Sequence, residues 1–469
     1  MTHHDLQHPD TWLAKLPPIL TQLCQHIADA GGQAWLVGGC VRDLCLAVTP
    51  KDLDLEVYGL DEDALLQSLK KIGRVEQVGK QFGVIKLFCH GMAFDLALPR
   101  TESKTATGHR GFDVACNPHL SPEIATLRRD FTINAMMFDP LKQQLIDLHG
   151  GKSDLQNGIL RHVSPAFCED PLRPLRAMQF AARFKLSLAP ETADLCQKLL
   201  SEAHSLPSSR IWCEWQKWTH AAHPSFGLIA LRDSAWLSLY PELQCLIDCP
   251  QDARWHPEGN TWIHTLMVCD QAAQIAQRQG LDSHASEHLL LAALCHDLGK
   301  PTSTFTDEEG NIRSPNHSAA GIGPTQLLLT RIHAPKRIAE FILPLVYDHI
   351  THLSGEPTPR AIRRLAHRLE PASIELWEML VEADASGRHP SPACRPALPW
   401  LEKAQEANHH IQKPKAIITG DMLIEKGMQP GKNMGLILKS AYNAQLDGDF
   451  DSISSAQAWL ENQHLDESQ

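Results

Sequence analysis

The 469-residue sequence predicts an α+β fold, an N-terminal mixed-sheet head followed by segments that are all-α. Two observations carry this. Between residues 34 and 160, short apolar runs (AWLVGG, DLDLEV, GVIKLF, AFDLAL, QLIDL) alternate with helical patterns, as strands punctuated by helices do. Beyond HVSPAF the period is helical almost without a break, from DPLRPLRAMQFAARF through SSRIWCEWQKW, with prolines at the joints.

Taken in order, residues 1–33 read as an N-terminal helical extension, because TWLAKLPPILTQLCQHIADA has helical spacing and stops at Gly31 and Gly32. The head occupies 34–160 and a helical neck 161–240. A third unit, 241–400, starts near WHPEGNTWIHTLMV and carries most of the clustered histidines, and a helical tail fills 401–469. In that tail ITGDMLIEKGMQPGKNMGLILKSAYNAQLDGDF reads as helix, Pro-Gly turn, helix, and the closing NQHLDESQ as frayed. Several domains are expected at this length.

Apolar content of 43% with 21% charged residues is globular, and no apolar run reaches the roughly 18 residues that span a bilayer. MTHHDLQHPDTW has neither a basic nor an apolar leader segment. Thirteen cysteines without a CxxC pair fit reduced thiols. The expectation is a soluble, cytoplasmic protein with no membrane partner. A net charge of −12 excludes general coating of nucleic acid but leaves room for a local basic groove.

Chemistry first shows in KDLDLEVYG, residues 51–59. Alternation puts Asp52 and Asp54 on one strand face, where they repel unless a cation lies between them; an acidic solvated edge is the alternative. Just upstream, LVGGCVRD turns from an apolar run through Gly38 and Gly39 into a helical start with Arg42. Such glycine amides at a helix N-terminus suit a phosphate. With the acid pair on the next strand, this becomes amides for a triphosphate and carboxylates for Mg²⁺. Asp95, in AFDLALPR, either approaches the same metal or is structural.

TLRRDFTINAMMFDP places Arg128, Arg129 and Asp130 before an apolar helix, as sugar and phosphate contacts or as a solvated cap. SPAFCEDPLRPLRAMQFAARF sets Asp170, Arg173 and Arg176 at three-residue spacing, hence on one expected helix face. There Asp and Arg together read a base edge or form a salt-bridge ladder.

LVGGCVRD, KDLDLEV, RRDFTINAM, LIDLHGGKSDLQNGILRHVSPAF and EDPLRPLRAMQFAARF, in this order, resemble the class II tRNA nucleotidyltransferases (CCA-adding enzymes) and the related bacterial poly(A) polymerases. The resemblance covers about residues 34–220. It implies that Asp52 and Asp54 are catalytic and bind Mg²⁺, and that Gly38, Gly39 and Arg42 meet the incoming nucleotide. It further implies that Arg129 meets the sugar or phosphate, that Asp170 with Arg173 reads the base, and that Arg176 belongs to the same site. Protein side chains then select CTP and ATP without a nucleic-acid template, and tRNA is the acceptor. Many relatives carry an arginine where this chain has Gln179, which cannot supply a phosphate charge.

A second constellation joins His264, His296 and Asp297 in LLLAALCHDLGKP, His317, His349 and Asp384 on successive expected helices. Imidazoles with carboxylates suit a divalent transition metal, and a bridging Asp can hold two. The pattern resembles the HD phosphohydrolase superfamily, matched by His264, His296, Asp297 and Asp384, with His317 and His349 as further ligands or phosphate contacts. The tandem is similar to the multifunctional CCA proteins of gamma-proteobacteria. That likeness implies phosphatase and 2′,3′-cyclic phosphodiesterase activity with Ni²⁺ or Mg²⁺.

The motifs do not separate full CCA addition from CC-adding, A-adding or poly(A) polymerase specialists. An HD phosphohydrolase with an RNA-binding head is the reading from another class, and monomer and homodimer stay open. Arg360, Arg363, Arg364 and Arg368 in PRAIRRLAHRLE either grip phosphate or form a solvated basic face.

Overall fold

A computed structural model describes residue 8 and residues 11–78, 84–104, 112–390, 393–408 and 413–463. Residues 1–7 of the opening stretch and 464–469 of the closing one, where fraying was expected, lie outside the described residues. The chain divides into two units, Met1–Leu239 and Tyr240–Gln469.

The first unit is built on a seven-stranded sheet in the order β3-β4-β5-β2-β1-β8-β9. Its strands are β1 (Gln33–Val37), β2 (Asp54–Tyr58), β3 (Arg74–Val78), β4 (Val84–Cys89), β5 (Met92–Ala97), β8 (Met137–Asp139) and β9 (Gln144–Ile146); β6 (Arg100–Lys104) and β7 (Phe112–Cys116) pair as a separate ribbon. The sheet is mixed: β2 and β5 run parallel, and every other pair in it is antiparallel. Leu36 of β1 opposes Leu55 on one side and Phe138 on the other. With Leu87, Phe94 and Leu96 these side chains form a sealed core. Trp12 closes it, its ring 5.0 Å from Phe138, so the lead-in segment is part of the head's packing.

The five apolar runs named in the sequence fall on β1, β2, β4, β5 and β9. Strand β2 begins only at Asp54. Asp52 lies in a bend before it, so the two acids meet at a strand entrance and not along one pleated face. Helices Arg173–Phe184, Ser208–Thr219 and Pro224–Asp233 follow, with Trp215 and Trp218 fully buried among them. The first of these starts at Arg173, after Asp170 in extended backbone, so Asp170 is not on its face.

Among its described residues the second unit is helical apart from the short hairpin of Phe305–Thr306 with Ile312–Arg313. Helices Thr261–Gln279, Ser283–Cys295, Lys336–Asp348 and Ile374–Ser386 form its centre around Val268, Leu291, Leu345 and Leu380. In the tail, helices Gly420–Glu425, Lys432–Asp447 and Ile453–Asn462 share a core of Leu423, Phe450 and Leu460. The third of these goes beyond the helix-turn-helix expected there. The arginines of Pro359–Leu369 are held internally: Arg360 and Arg364 by Asp447, Arg363 by the Leu446 carbonyl, and Arg368 by Asp348. No helix among the described residues is long and apolar enough to cross a membrane.

Candidate active sites

In the first unit the chain must turn sharply between β1 and the helix Gly39–Cys45. Gly38 makes that turn at φ 76°, and a Cβ there would come to 3.2 Å from an Arg129 guanidinium nitrogen. Both the backbone angle and the close approach favour glycine.

A cleft of about 910 Å³ opens beside this turn. Gly38, Gly39, Arg42, Asp52, Asp54, Arg129, Asp170, Arg173 and Arg176 all line it. Residues from four separated segments therefore share one wall system. Asp95 stands opposite Asp54 in the β2/β5 register but is not in the lining; its carboxylate is 3.3 Å from Lys86.

Asp54 keeps solvent access, yet its carboxyl is raised above the ordinary range, first by the surrounding protein and then by Asp95 and Asp52. Both causes disfavour the anion, so the entrance to β2 is a place where a cation is electrostatically welcome. The opposite wall is cationic and tightly braced. Arg42 is buried, donates to Asn134 Oδ1 at 2.5 Å and to Asp43, and lies 4.2 Å over the Phe184 ring. Arg173 is fixed by the carbonyls of Ala166 (2.7 Å) and Arg128 (2.6 Å). Arg176 donates twice to Asp130 Oδ2, at 2.8 and 2.6 Å.

Burial works to raise the Asp130 carboxyl, but Arg176 and the donors of Asn134 and Phe131 outweigh it and hold it low. Asp170 pairs with Arg210, at 3.1 Å, and not with Arg173. Arg210 and Lys217 on the Ser208–Thr219 helix and Arg183 also line the cleft; sequence reasoning missed all three. It also missed Glu56, which is 1% exposed and accepts from Tyr58, Arg128 and Arg129. Its period-two spacing from Asp54 was the available signal. Gln179 is buried outside the lining, and its Oε1 accepts from Arg183 at 3.5 Å.

The second site gathers every histidine and acid of the second motif set. His264 sits in the first turn of Thr261–Gln279, His296 caps Ser283–Cys295, His349 caps Lys336–Asp348, and Asp384 lies near the end of Ile374–Ser386. His317 opens a short helix that packs against Gly299. A Cβ on Gly299 would collide with the His317 carbonyl, so the glycine of HDLG lets that histidine approach.

Backbone carbonyls fix three of the tautomers. Nδ1 of His296, His317 and His349 faces the carbonyl three residues earlier, at 2.8, 2.8 and 2.7 Å. A carbonyl only accepts, so each Nδ1 carries the proton and each Nε2 is left as a ligand atom. Nδ1 of His264 lies 2.8 Å from a Glu258 carboxylate oxygen. Nε2 of His264 then meets Nε2 of His296 at 3.3 Å, and those of His317 and His349 meet at 3.1 Å. Facing lone pairs call for a shared cation.

Asp297 joins the two pairs, with Oδ2 3.2 Å from His296 and Oδ1 3.5 Å from His317. Two groups with metal-ligand spacing, His264-His296-Asp297 and Asp297-His317-His349, thus share one carboxylate. Asp384 Oδ1 approaches His264 Nε2 at 3.1 Å and is paired with Arg388. The imidazole and carboxylate set fits divalent transition ions. Burial and then the neighbouring imidazoles hold His349 down at about 3, which keeps it neutral for coordination. Glu258, His256, Lys300 and Arg388 are the members that sequence reasoning missed. Lys300 Nζ is 2.7 Å from Asp297.

Residues 34–161 match the poly A polymerase head domain and residues 261–379 the HD domain. The multifunctional CCA protein of Xanthomonas campestris pv. campestris is 37% identical over 386 residues, covering 80% of this chain and 90% of that protein. The chain belongs to the family of multifunctional CCA proteins. A member from Pasteurella multocida is also 37% identical, over 76% of this chain and 84% of its own length. The fold agrees with the Bacillus stearothermophilus CCA-adding enzyme in complex with CTP at a TM-score of 0.64 and 20% identity, over 95% of this chain and 98% of that one. It agrees likewise with the Thermotoga maritima CCA-adding enzyme complexed with tRNA_CCA, at 0.58 and 18% identity over 98% and 100%. Family membership and geometry meet at two sites, one in each unit.

Proposed function

We propose that this family member adds CCA to the 3′ end of tRNA from CTP and ATP, without a nucleic-acid template, in the cytoplasm. The observation that carries this is the convergence of an acid pair and the arginines of separate motifs on one cleft. Asp52 and Asp54 would hold Mg²⁺, which would supply charge neutralisation and acidification of the attacking hydroxyl. The tRNA 3′ oxygen forms a bond to the α-phosphorus, the bond from that phosphorus to the bridging oxygen breaks, and pyrophosphate leaves.

Gly38 and Gly39 let the triphosphate approach the backbone, and Arg42 and Arg129 bind its charge. Asp170 and the braced Arg173 read the base edge. Arg176, neutralised by Asp130, positions the helix that begins at Arg173. Incubation with Mg²⁺, CTP, ATP and a tRNA ending at its discriminator base, followed by sequencing of the 3′ ends, tests the reading. Termination at CCA is expected; CC alone, A alone or a long A tract would replace it with a specialist.

The shared carboxylate Asp297 favours a second activity, metal-dependent hydrolysis of phosphomonoesters and 2′,3′-cyclic phosphodiesters at the HD site. His264, His296, Asp297, His317, His349 and Asp384 would hold a Ni²⁺ or Mg²⁺ pair, which would supply Lewis acidity to the ester and to water. Lys300 and Arg388 bind the phosphate charge. Release of phosphate from 2′-AMP and opening of 2′,3′-cyclic AMP, abolished by chelation, are the expected results.

A further inference from the structure

The HD site has a mouth that simple phosphate hydrolysis does not call for. Its cavity of about 480 Å³ is lined by Asp297, Lys300, His317 and His349 together with Trp255 and Leu353. Trp255 is 68% exposed and Leu353 74% exposed, the latter more than any other large apolar residue described. A second cavity of about 430 Å³ shares Trp255, Leu353, Asp384 and Arg388 with the first. Volumes of this size take small organic ligands.

Neither apolar residue is on a loose segment. The Trp255 amide donates to the Asp252 carbonyl at 3.0 Å. The preceding Arg254 is clamped between the Asp252 carboxylate (2.6 Å) and Asn311 (2.6 Å). Leu353 lies four residues after the ligand His349, in the 3₁₀ turn Thr351–Ser354, with its amide bonded to the Ile350 carbonyl. A large indole that is 68% exposed on a backbone tethered in this way lacks a packing role. An exposed aromatic face in the same lining as Lys300, Arg388 and the His-Asp cluster matches a molecule with a flat apolar part joined to a phosphate.

We propose that Trp255, backed by Leu353, is the base platform of the HD site: the phosphate of a nucleotide or RNA 3′ end sits at the His-Asp cluster while its base stacks on the indole. This rests on the hydrolytic reading above and adds its selectivity, for nucleotidyl phosphates over base-free esters.

The test compares the Ni²⁺-loaded full chain on 2′,3′-cyclic AMP and on glycerol 1,2-cyclic phosphate, a matched diester without a base. Trp255→Ala is expected to raise KM for the nucleotide about ten-fold with little change in kcat, collapsing the preference for the nucleotide by the same factor. Trp255→Phe should restore it. Equal losses on both substrates, or no loss on the nucleotide, would overturn the platform. Should the wild type hydrolyse neither diester, the hydrolytic reading fails by itself. The platform is then judged by calorimetry with 3′-AMP, where an unaltered Trp255→Ala isotherm overturns it and the loss of a binding component supports it; nucleotide bound in the other unit is common to both proteins.

Discussion

In the head, Asp54 has solvent access and a carboxyl raised by the protein around it and by two neighbouring acids; in the second unit, Asp297 is 2% exposed and held well below the ordinary range. Burial alone would raise both. The difference lies in what surrounds them: His296, Lys300 and His317 outweigh desolvation at Asp297, whereas the head's arginines are engaged with Asp130, Asn134, Glu56 and backbone carbonyls. The His-Asp cluster is thus preorganised to receive a cation, while the cleft is left with a charge imbalance that a bound cation and phosphate would complete.

The sharpest break of this comparison separates the two chemistries. Asp54→Ala should cost nucleotide addition about a thousand-fold or more, as loss of a metal ligand does, and leave hydrolysis of 2′,3′-cyclic AMP in place. Asp297→Ala should do the reverse. Assays of both reactions on both variants decide it, and parallel loss in either variant would mean that the sites are not independent.

Next comes the bracing of the cleft. Asp130→Asn leaves Arg176 without its anion, an uncompensated charge that costs about 2–3 kcal/mol, less than a fully buried pair because Arg176 is 32% exposed. Urea denaturation at pH 7 reads this. The sign with pH follows from the lowered Asp130 carboxyl: its contribution is complete above the ordinary carboxylate value of about 3.9 and is lost as pH falls through the folded-state value. The gap between wild type and variant should therefore close in acid, and a gap that stays constant would refute the pair.

On the HD side the matching brace is Glu258, whose covered carboxylate lies 2.8 Å from Nδ1 of His264 and 2.9 Å from Nδ1 of His256. Glu258→Gln keeps the shape and removes the charge that orients the ligand. Metal affinity by calorimetry should fall about 10- to 100-fold, the usual effect of an outer-shell partner. Unchanged affinity would reduce Glu258 to a packing role.

Legibility in sequence followed the same division. Strands β1, β2, β4 and β5 were readable because Leu36, Leu55, Val57, Leu87 and Leu96 alternate with polar positions, and the HD ligands because His296 and Asp297 are adjacent. RVEQV of β3 carries too much charge to read as a strand alone; its place comes from pairing with β4. Glu258 is a lone acid in a turn, and Arg210 lies 40 residues from the Asp170 it meets. Contacts of that kind are made by tertiary packing, and local periodicity does not encode them. The same limit misplaced Asp170, which three-residue spacing put on a helix that begins only at Arg173.

The smallest effect concerns how the cleft keeps its arginines together. Burial and then Arg42 lower the affinity of Arg183 for its proton, so the two guanidiniums disfavour one another. Phe184 lies within reach of both, 4.2 Å below Arg42 and 4.9 Å from Arg183, and its ring offers negative faces to each. Phe184→Leu keeps an apolar side chain and removes the quadrupole, a loss of about 0.5–1 kcal/mol per cation. KM for CTP should rise a few-fold while kcat on a tRNA acceptor changes little, because the ring touches arginines of the binding wall and not the acid pair. Such a rise would shrink at high salt if it came from the field of the arginines, and would persist if Phe184 merely filled space, so the titration with NaCl distinguishes the two.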